Sequence, residues 1–238
     1  RFAEWRDDAF VPTEPGGKRW VAQPRMSALS RHLSNGLTLH LQTRIEHLVR
    51  ESGSWRVVSD DGREFSGFDA VLLCCPGPQT HALLPSTHRF ASLAQSLKYS
   101  ACWVAMISYA EGLSIPFDGF RMEHPVFSWA ARDSSKPGRE PGERWVLHAS
   151  PAWSASHVER SPEEASIRLM AAWSEFASAT PADVSVHRWR YALAEKSDGA
   201  LAHYDSESGI GLCGDGFAGP RIEDAWRSGL NLAEQLLA

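Results

Sequence analysis

The sequence predicts a mixed α/β fold, on three observations. The C-terminal stretch from Gly209 to Leu237 reads as strand, glycine turn, acid, second glycine turn and helix. Residues 68–76, Phe-Asp-Ala-Val-Leu-Leu-Cys-Cys-Pro, are a continuous apolar run that fits a strand buried on both faces. Elsewhere, period-two strand patterns mix with helical periods in an order that suits a mainly antiparallel sheet with helices.

Taken in order, residues 1–9 look like helix or loop. Residues 10–15, Gly16-Gly17 and residues 19–22 suggest a hairpin. Residues 27–33 read as a helix with Ser27 near its N-cap and Leu29 and Leu33 turned inward. A β-rich block follows, with alternation over 37–41, 45–50 and 55–59 and a turn at Asp61-Gly62 into 63–65. Helical periodicity over 88–97 precedes strands at 102–109, 127–132 and 145–150, and the polar stretch 133–143 between the last two reads as an exposed loop. Ser161-Pro162-Glu163-Glu164 opens a helix: a hydroxyl caps it, proline suits its first turn, and the acids face the positive end of the dipole. That helix continues through Trp173 and Phe176, and residues 184–192 return as a strand.

At the C-terminal end, Ile210 and Leu212 supply a short apolar strand. Gly214 and Gly216 let the backbone approach a ligand, and Asp215 can accept hydrogen bonds from ligand hydroxyls. Ile222, Ala225, Trp226, Gly229, Leu230, Ala233, Leu236 and Leu237 then fall on one helical face, which is expected to pack while the helix start stays open to an anionic group. A structural glycine turn before a terminal helix is the alternative. Residues 214–219 also match G-x-G-x-x-G, but only nineteen residues follow Gly219, too few for the helix and second strand of a dinucleotide-binding unit.

Composition narrows the classes. A chain of 238 residues, 43% hydrophobic and 22% charged, can form one large or two small globular domains. A net charge of −5 with no basic stripe argues against a nucleic-acid partner. No apolar run approaches the roughly eighteen residues of a span, so no membrane partner is expected. Cys74, Cys75, Cys102 and Cys213 lack C-x-x-C spacing and read as buried free thiols of a cytoplasmic protein. No zinc-ligand spacing, G-x-S-x-G elbow or Walker A motif occurs, so no metal is expected. Most of the ten tryptophans are expected to fill core.

Residues 186–192, Val-His-Arg-Trp-Arg-Tyr-Ala, form the second informative stretch. As a strand, they put His187, Trp189 and Tyr191 on one face and Arg188 and Arg190 on the other. The first face suits stacking and hydrogen bonding of a flat ligand. Equally, the strand could pack its aromatic rings into a core and leave the arginines in solvent.

The Gly-Asp pair, its glycine turn and the terminal helix resemble the C-terminal flavin motif of FAD-dependent amine oxidase-like proteins. Combined with residues 187–192, the Arg-Ile-Glu-Asp-Ala-Trp-Arg-Ser-Gly run from Arg221 and the early Pro-Arg-Met-Ser-Ala-Leu from Pro24, the pattern is similar to the renalase-like group of that superfamily. The resemblance implies a partial FAD-binding Rossmann-like domain (27–77 and 207–238) and a substrate domain with a mainly antiparallel sheet and helices (1–26 and 78–206). It implies cofactor contacts at Ile45, Cys75, Pro76, Gly214, Asp215, Arg221 and Ile222, and a catalytic face of His187, Trp189 and Tyr191. The implied reaction is hydride transfer from 2- and 6-dihydro isomers of NAD(P)H to FAD, with dioxygen reoxidising the flavin to give hydrogen peroxide. A flavin amine oxidase acting on a small amine, or a cofactor-free binding domain, are the competing expectations. The strand and glycine-rich loop that open such proteins have no counterpart here, so the chain is expected to be a fragment that holds FAD weakly.

Overall fold

The computed structural model describes every residue except 15, 19 and 196–198. In chain order its elements are β1 (Phe2–Arg6), β2 (Ala9–Thr13), α1 (Ser27–Leu33), β3 (Ile45–Glu51), β4 (Ser54–Ser59), β5 (Glu64–Phe68), β6 (Val71–Leu73), α2 (Gly77–Leu83), α3 (Ala91–Ser96) and β7 (Tyr99–Tyr109). There follow β8 (Gly119–Met122), β9 (Phe127–Arg132), β10 (Glu143–Ala149), α4 (Pro151–Ser156), α5 (Pro162–Trp173), β11 (Asp183–Ala194), β12 (His203–Asp205), β13 (Ile210–Leu212), α6 (Asp215–Ala218) and α7 (Ile222–Leu237). The fold is mixed α/β and divides into two compact units, Arg1–Thr38 with Ala101–Ala192, and Leu39–Ser100 with Leu193–Ala238.

The first unit is built on a seven-stranded sheet in the order β11-β7-β10-β9-β8-β1-β2. Most neighbours run antiparallel, as expected, while β1 lies parallel to β8. One face carries the core: Trp103, Trp145, Phe120 and Phe127 pack with Leu169 and Trp173 of α5. The Trp173 indole N–H donates to the Tyr109 hydroxyl at 2.9 Å, which satisfies a polar atom that would otherwise be buried alone. Helix α5 begins as its sequence directs, with the Ser161 hydroxyl accepting from the Glu164 amide. Its last helical residue is Trp173, three short of Phe176.

Several local expectations fail in this unit. Residues 1–9 are neither helix nor loop: β1 and β2 form a hairpin whose two turn residues, Asp7 and Asp8, have φ of 49° and 55°. Aspartate tolerates this left-handed conformation, which matches the strand twist. The expected hairpin over 10–22 is replaced by this earlier one; residues 20–22 form no strand, and residues 15 and 19 lie outside the described residues. In α1, Met26 rather than Ser27 takes the N-cap position, and both Leu29 and Leu33 are exposed. The alternating stretch 37–41 is not a strand, and Leu37, Leu39 and Leu41 are exposed. Alternation supplies a buried face only where a neighbouring strand completes the ladder. The loop 133–143 is pinned rather than free. Asp133 pairs with Lys136 at 2.6 Å and Arg139 at 3.4 Å, and the Arg139 side chain, 6% exposed, donates to the Ala22 carbonyl at 2.8 Å.

The second unit contains the three-stranded meander β3-β4-β5 and a small sheet in the order β12-β13-β6. In the latter, β13 runs parallel to β6 and antiparallel to β12. Trp55, Leu73, Phe90, Leu97, Ile210, Leu212 and Phe217 form the core. The apolar run at 68–76 yields a strand of three residues, and it is not buried on both faces: Leu72 and Cys74 are exposed because β6 is an edge of its sheet.

Helix α7 forms where predicted but turns a different face inward. Ser228 and Leu232 are buried, whereas Ile222 is 62% and Trp226 54% exposed, and Leu230, Leu236 and Leu237 are exposed as well. Polar anchoring sets the rotation. The Ser228 hydroxyl accepts from the Gly214 amide at 2.8 Å and donates to the Leu201 carbonyl at 2.5 Å, and the Gln235 amide reaches the Ala202 carbonyl at 3.2 Å. Leu232 seats over Gly211, where an added Cβ would lie 2.8 Å from its side chain. No described helix is long and apolar enough to cross a membrane.

Replacing Ser228 with alanine removes a partner from both a part-buried amide and a part-buried carbonyl. The expected outcome is a loss of about 1–3 kcal/mol of unfolding free energy in a urea titration. An unchanged midpoint would place the anchor of α7 elsewhere.

Candidate functional site

The parallel pairing of β6 with β13 sends both chains out of the same end of the sheet. Cys75 and Pro76 leave β6 there, and Gly214 and Asp215 leave β13 beside them. Gly214 has φ 137° and ψ −177°, a conformation essentially restricted to glycine, so the chain can turn sharply into the short helix α6. An added Cβ on Gly214 would come within 3.7 Å of the Cys74 carbonyl. Four of the seven cofactor-site residues expected from sequence are therefore brought together.

Tyr99 joins this cluster and was not anticipated. Its hydroxyl accepts from the Gly77 amide at 3.3 Å, and a Cβ on Gly216 would lie 2.2 Å from the same oxygen. The hydroxyl is thus wedged between the loops that follow β6 and β13. Burial raises its pKa, with smaller contributions from Asp215 and Cys75, so it remains a neutral hydroxyl at physiological pH. The sequence signal was faint: a tyrosine at the start of a strand, with Gly77 and Gly216 as the small residues that make room for it.

Asp215 is half-buried, and burial holds its carboxyl above the usual aspartate range; the Gly216 and Asp215 amides offset this in part. No cation among the described residues contributes to its charge balance. A desolvated carboxylate supported by backbone amides alone fits a ligand that brings its own hydroxyl donors, as the ribityl chain of FAD does.

Helix α7 packs on α6 and starts exposed, so Arg221 and Ile222 face solvent. The Asp224 carboxylate accepts from the Arg221 amide at 3.3 Å and lies against Gly219, whose φ is 136°. The remaining first-turn amides have no carbonyl partner within the helix. Ile45 opens β3 in the separate meander, where it pairs with Ser59, and that strand packs on α2. It is connected to the loop cluster through an intervening helix rather than by direct placement.

In the first unit, β11 displays His187 and Trp189 away from the core. Their rings meet edge to face at 4.5 Å and 65°, and Trp189 is 55% exposed, while Tyr191 is half-buried. The opposite face is occupied by structure. Arg188 stacks over the Trp103 ring at 5.6 Å and donates to the Val158 carbonyl, and Arg190 forms two hydrogen bonds to Glu159 at 2.6 and 3.0 Å. On the open face nearby strands add Met106, His148 and Trp129, the last stacked with Phe2 at 6.4 Å. Burial, and to a lesser extent Lys136, lowers the pKa of His148, which favours a neutral imidazole on that face.

One cluster has the composition of a hydrolase triad without its polarity. The Phe90 amide donates to His88 Nδ1 at 3.2 Å, so the neutral ring carries its proton on Nε2 and donates to Ser208 Oγ at 3.0 Å. Ser208 in turn donates to Asp205 at 2.6 Å. A nucleophilic serine needs an imidazole that accepts its proton. Here the serine hydrogen points at the acid, the Trp55 indole donates to the Ser208 carbonyl at 2.7 Å, and the three residues tie down a turn. Among the described residues no group of three or more His, Cys, Asp or Glu could hold a metal ion.

A family model for flavin containing amine oxidoreductases matches residues 4–237. The chain belongs to that family, a class of flavin-containing oxidoreductases. Solved structures agree on the fold. A protein provisionally named protoporphyrinogen oxidase from Exiguobacterium sp. 255-15 superposes with a TM-score of 0.68 at 22% identity, over 90% of this chain and 51% of that one. Cyclohexylamine oxidase from Brevibacterium oxydans IH-35A gives a TM-score of 0.68 at 11% identity, over 89% and 52%. Putrescine oxidase bound to putrescine gives 0.64 at 12% identity, over 89% and 52%. The chain spans about half the length of each.

The Asp215 environment generates a sign-specific prediction. The fold favours the protonated form of an acid whose folded-state pKa is raised, so stability is highest below the unfolded value and falls as pH rises through the folded one. Asp215→Asn is expected to unfold at higher temperature than the parent at neutral pH, with the difference vanishing in acid. A variant less stable than the parent at neutral pH would show that the carboxylate is held by a partner.

Proposed function

We propose that this protein is a FAD-dependent oxidoreductase of renalase-like specificity, oxidising 2- and 6-dihydro isomers of NAD(P)H and delivering the electrons to dioxygen as hydrogen peroxide. When bound, FAD would supply the hydride acceptor. Flavin binding is assigned to the second unit, where Asp215 would accept from ribityl hydroxyls and the Gly214 turn would admit the cofactor closely. The amides around Arg221 and Ile222 would favour negative charge at the flavin pyrimidine edge. Cys75 and Pro76 would line the adenine side.

Substrate binding is assigned to the first unit, and the exposed His187 and Trp189 pair is the observation that carries the reading. A dihydronicotinamide becomes aromatic as it loses hydride, so it needs a flat support and a fixed orientation more than an acid or base. Trp189 offers the ring face, His187 a hydrogen bond to the carboxamide, and Tyr191 a boundary to the platform. The side chains on this face of β11 are Asp183, Ser185, His187, Trp189, Tyr191 and Leu193; the single acid, Asp183, opens the strand four residues before His187. A small amine is the second reading, favoured by the family's description and by the same exposed indole, which can hold an ammonium group against its face.

The test uses the full protein. Its denatured supernatant should contain FAD, and under anaerobic conditions dihydronicotinamide isomers, but not alkylamines, should bleach the flavin absorbance; air should restore it with release of peroxide. Trp189→Ala should lower kcat/KM roughly 5- to 150-fold, equivalent to ~1–3 kcal/mol of lost ring stacking. Bleaching by amines alone would transfer the assignment to the second reading, and a protein free of flavin would defeat both.

A further inference from the structure

Cys74 and Cys213 sit one residue beyond the paired strands β6 and β13. The register runs Ile210 to Val71, Gly211 to Leu72 and Leu212 to Leu73, so its next step sets Cys213 directly opposite Cys74. The ladder continues to this point through the Cys213 amide, which donates to the Leu73 carbonyl at 3.3 Å. Adjacent strands lie about 4.7–4.9 Å apart, within the ~4.4–6.8 Å between Cα atoms that a disulfide requires. The two Sγ atoms are 3.1 Å apart. Cys213 is buried against Leu232 and Ala202, whereas Cys74 is exposed on the edge strand. The expectation of uniformly buried thiols is therefore corrected at Cys74.

From this geometry we infer that Cys74 and Cys213 are a redox-active dithiol, oxidised by hydroperoxides to a disulfide that ties the loop after β6 to the loop after β13. The Cys74 thiolate attacks one peroxide oxygen, the O–O bond breaks, and the departing hydroxide takes a proton, leaving Cys74 as a sulfenic acid. The Cys213 sulfur then attacks the Cys74 sulfur, the S–O bond breaks, and the Cys213 proton leaves with hydroxide as water. Two thiols and one hydrogen peroxide thus give one disulfide and two waters, with both electrons drawn from sulfur.

The division of labour follows from the surroundings. The hydrogen bond between the two sulfurs lowers the Cys74 pKa to about 7 and raises that of Cys213. The accessible cysteine is thus the one poised as thiolate. Cys75 is held away from the reaction, its Sγ 3.3 Å from the Thr80 hydroxyl. Cys102 lies on β7 with its thiol directed at the Ala149 carbonyl, and burial raises its pKa to about 11.

The inference is independent of flavin and is tested by mass. The full protein, reduced, exposed to hydrogen peroxide and then alkylated in denaturant, should lose two of the four alkylatable thiols at Cys74, Cys75, Cys102 and Cys213 and yield a peptide cross-linked through Cys74 and Cys213. Cys75→Ser should preserve the cross-link. Cys213→Ala should abolish it, leave Cys74 as a trappable sulfenic acid, and move the pH midpoint of Cys74 alkylation upward. Retention of all four of these thiols in the parent protein, or a cross-link through Cys75 or Cys102, would overturn the inference even if the variants do not fold.

Discussion

The parallel pairing of two strands of three residues each, Val71–Leu73 and Ile210–Leu212, is the constraint on which the candidate flavin site depends. The strands are far apart in sequence, and the pairing delivers two turns to one edge of one sheet. Everything after Leu73 and after Leu212 is then held within side-chain reach. The pairing is secured from above by Leu232 and from below by a core that contains Leu73, Ile210 and Leu212. Gly211 has no side chain because none fits: a Cβ there would meet both Leu72 and Leu232 at under 3 Å.

The groups that hold this sheet also shape the site. Ser228 satisfies the Gly214 amide at the point where the backbone turns, so the helix that covers the sheet sets the position of the next residue, Asp215. Tyr99 does the same from the other side by filling the gap between Gly77 and Gly216. Burial of Asp215 costs stability at neutral pH, and the surrounding hydrogen bonds keep the backbone in place despite it. On the proposed reading, this ionisable group would serve a ligand rather than the fold.

In the first unit the same residue type serves two purposes. Trp103, Trp145 and Trp173 build the core on one face of the sheet, with their indole N–H groups bonded to the His157 carbonyl, the Glu143 carboxylate and the Tyr109 hydroxyl respectively. On the other face Trp189 is left exposed beside His187. On the core side of β11, Val184 and Val186 pack against the core while Arg188 and Arg190 bond to Val158 and Glu159. The charged groups are packed or paired, and the ring is offered to solvent.

Periodicity and punctuation in the sequence determined the element types where local chemistry is strong: the Ser161 cap of α5, the Asp61-Gly62 turn, the strands at 127–132 and 184–192, and the terminal helix. The grouping of Cys75 and Pro76 with Gly214 and Asp215 followed only from resemblance, since nothing local says that two short strands are neighbours. Tyr99 was illegible because its role is to fill a space between loops, which exists only once the chain has folded. What tertiary structure alone decided was orientation. The apolar stripe of α7 was correct as a helix signature, yet Ser228, Gln235 and Leu232 rotate it outward, because part-buried backbone groups at Gly214, Leu201 and Ala202 demand partners more strongly than exposed leucines demand burial. Likewise, residues 37–41 alternate but find no neighbouring strand. A hydrophobic pattern states which residues can share a face, and only the contacts available in three dimensions state which face is covered.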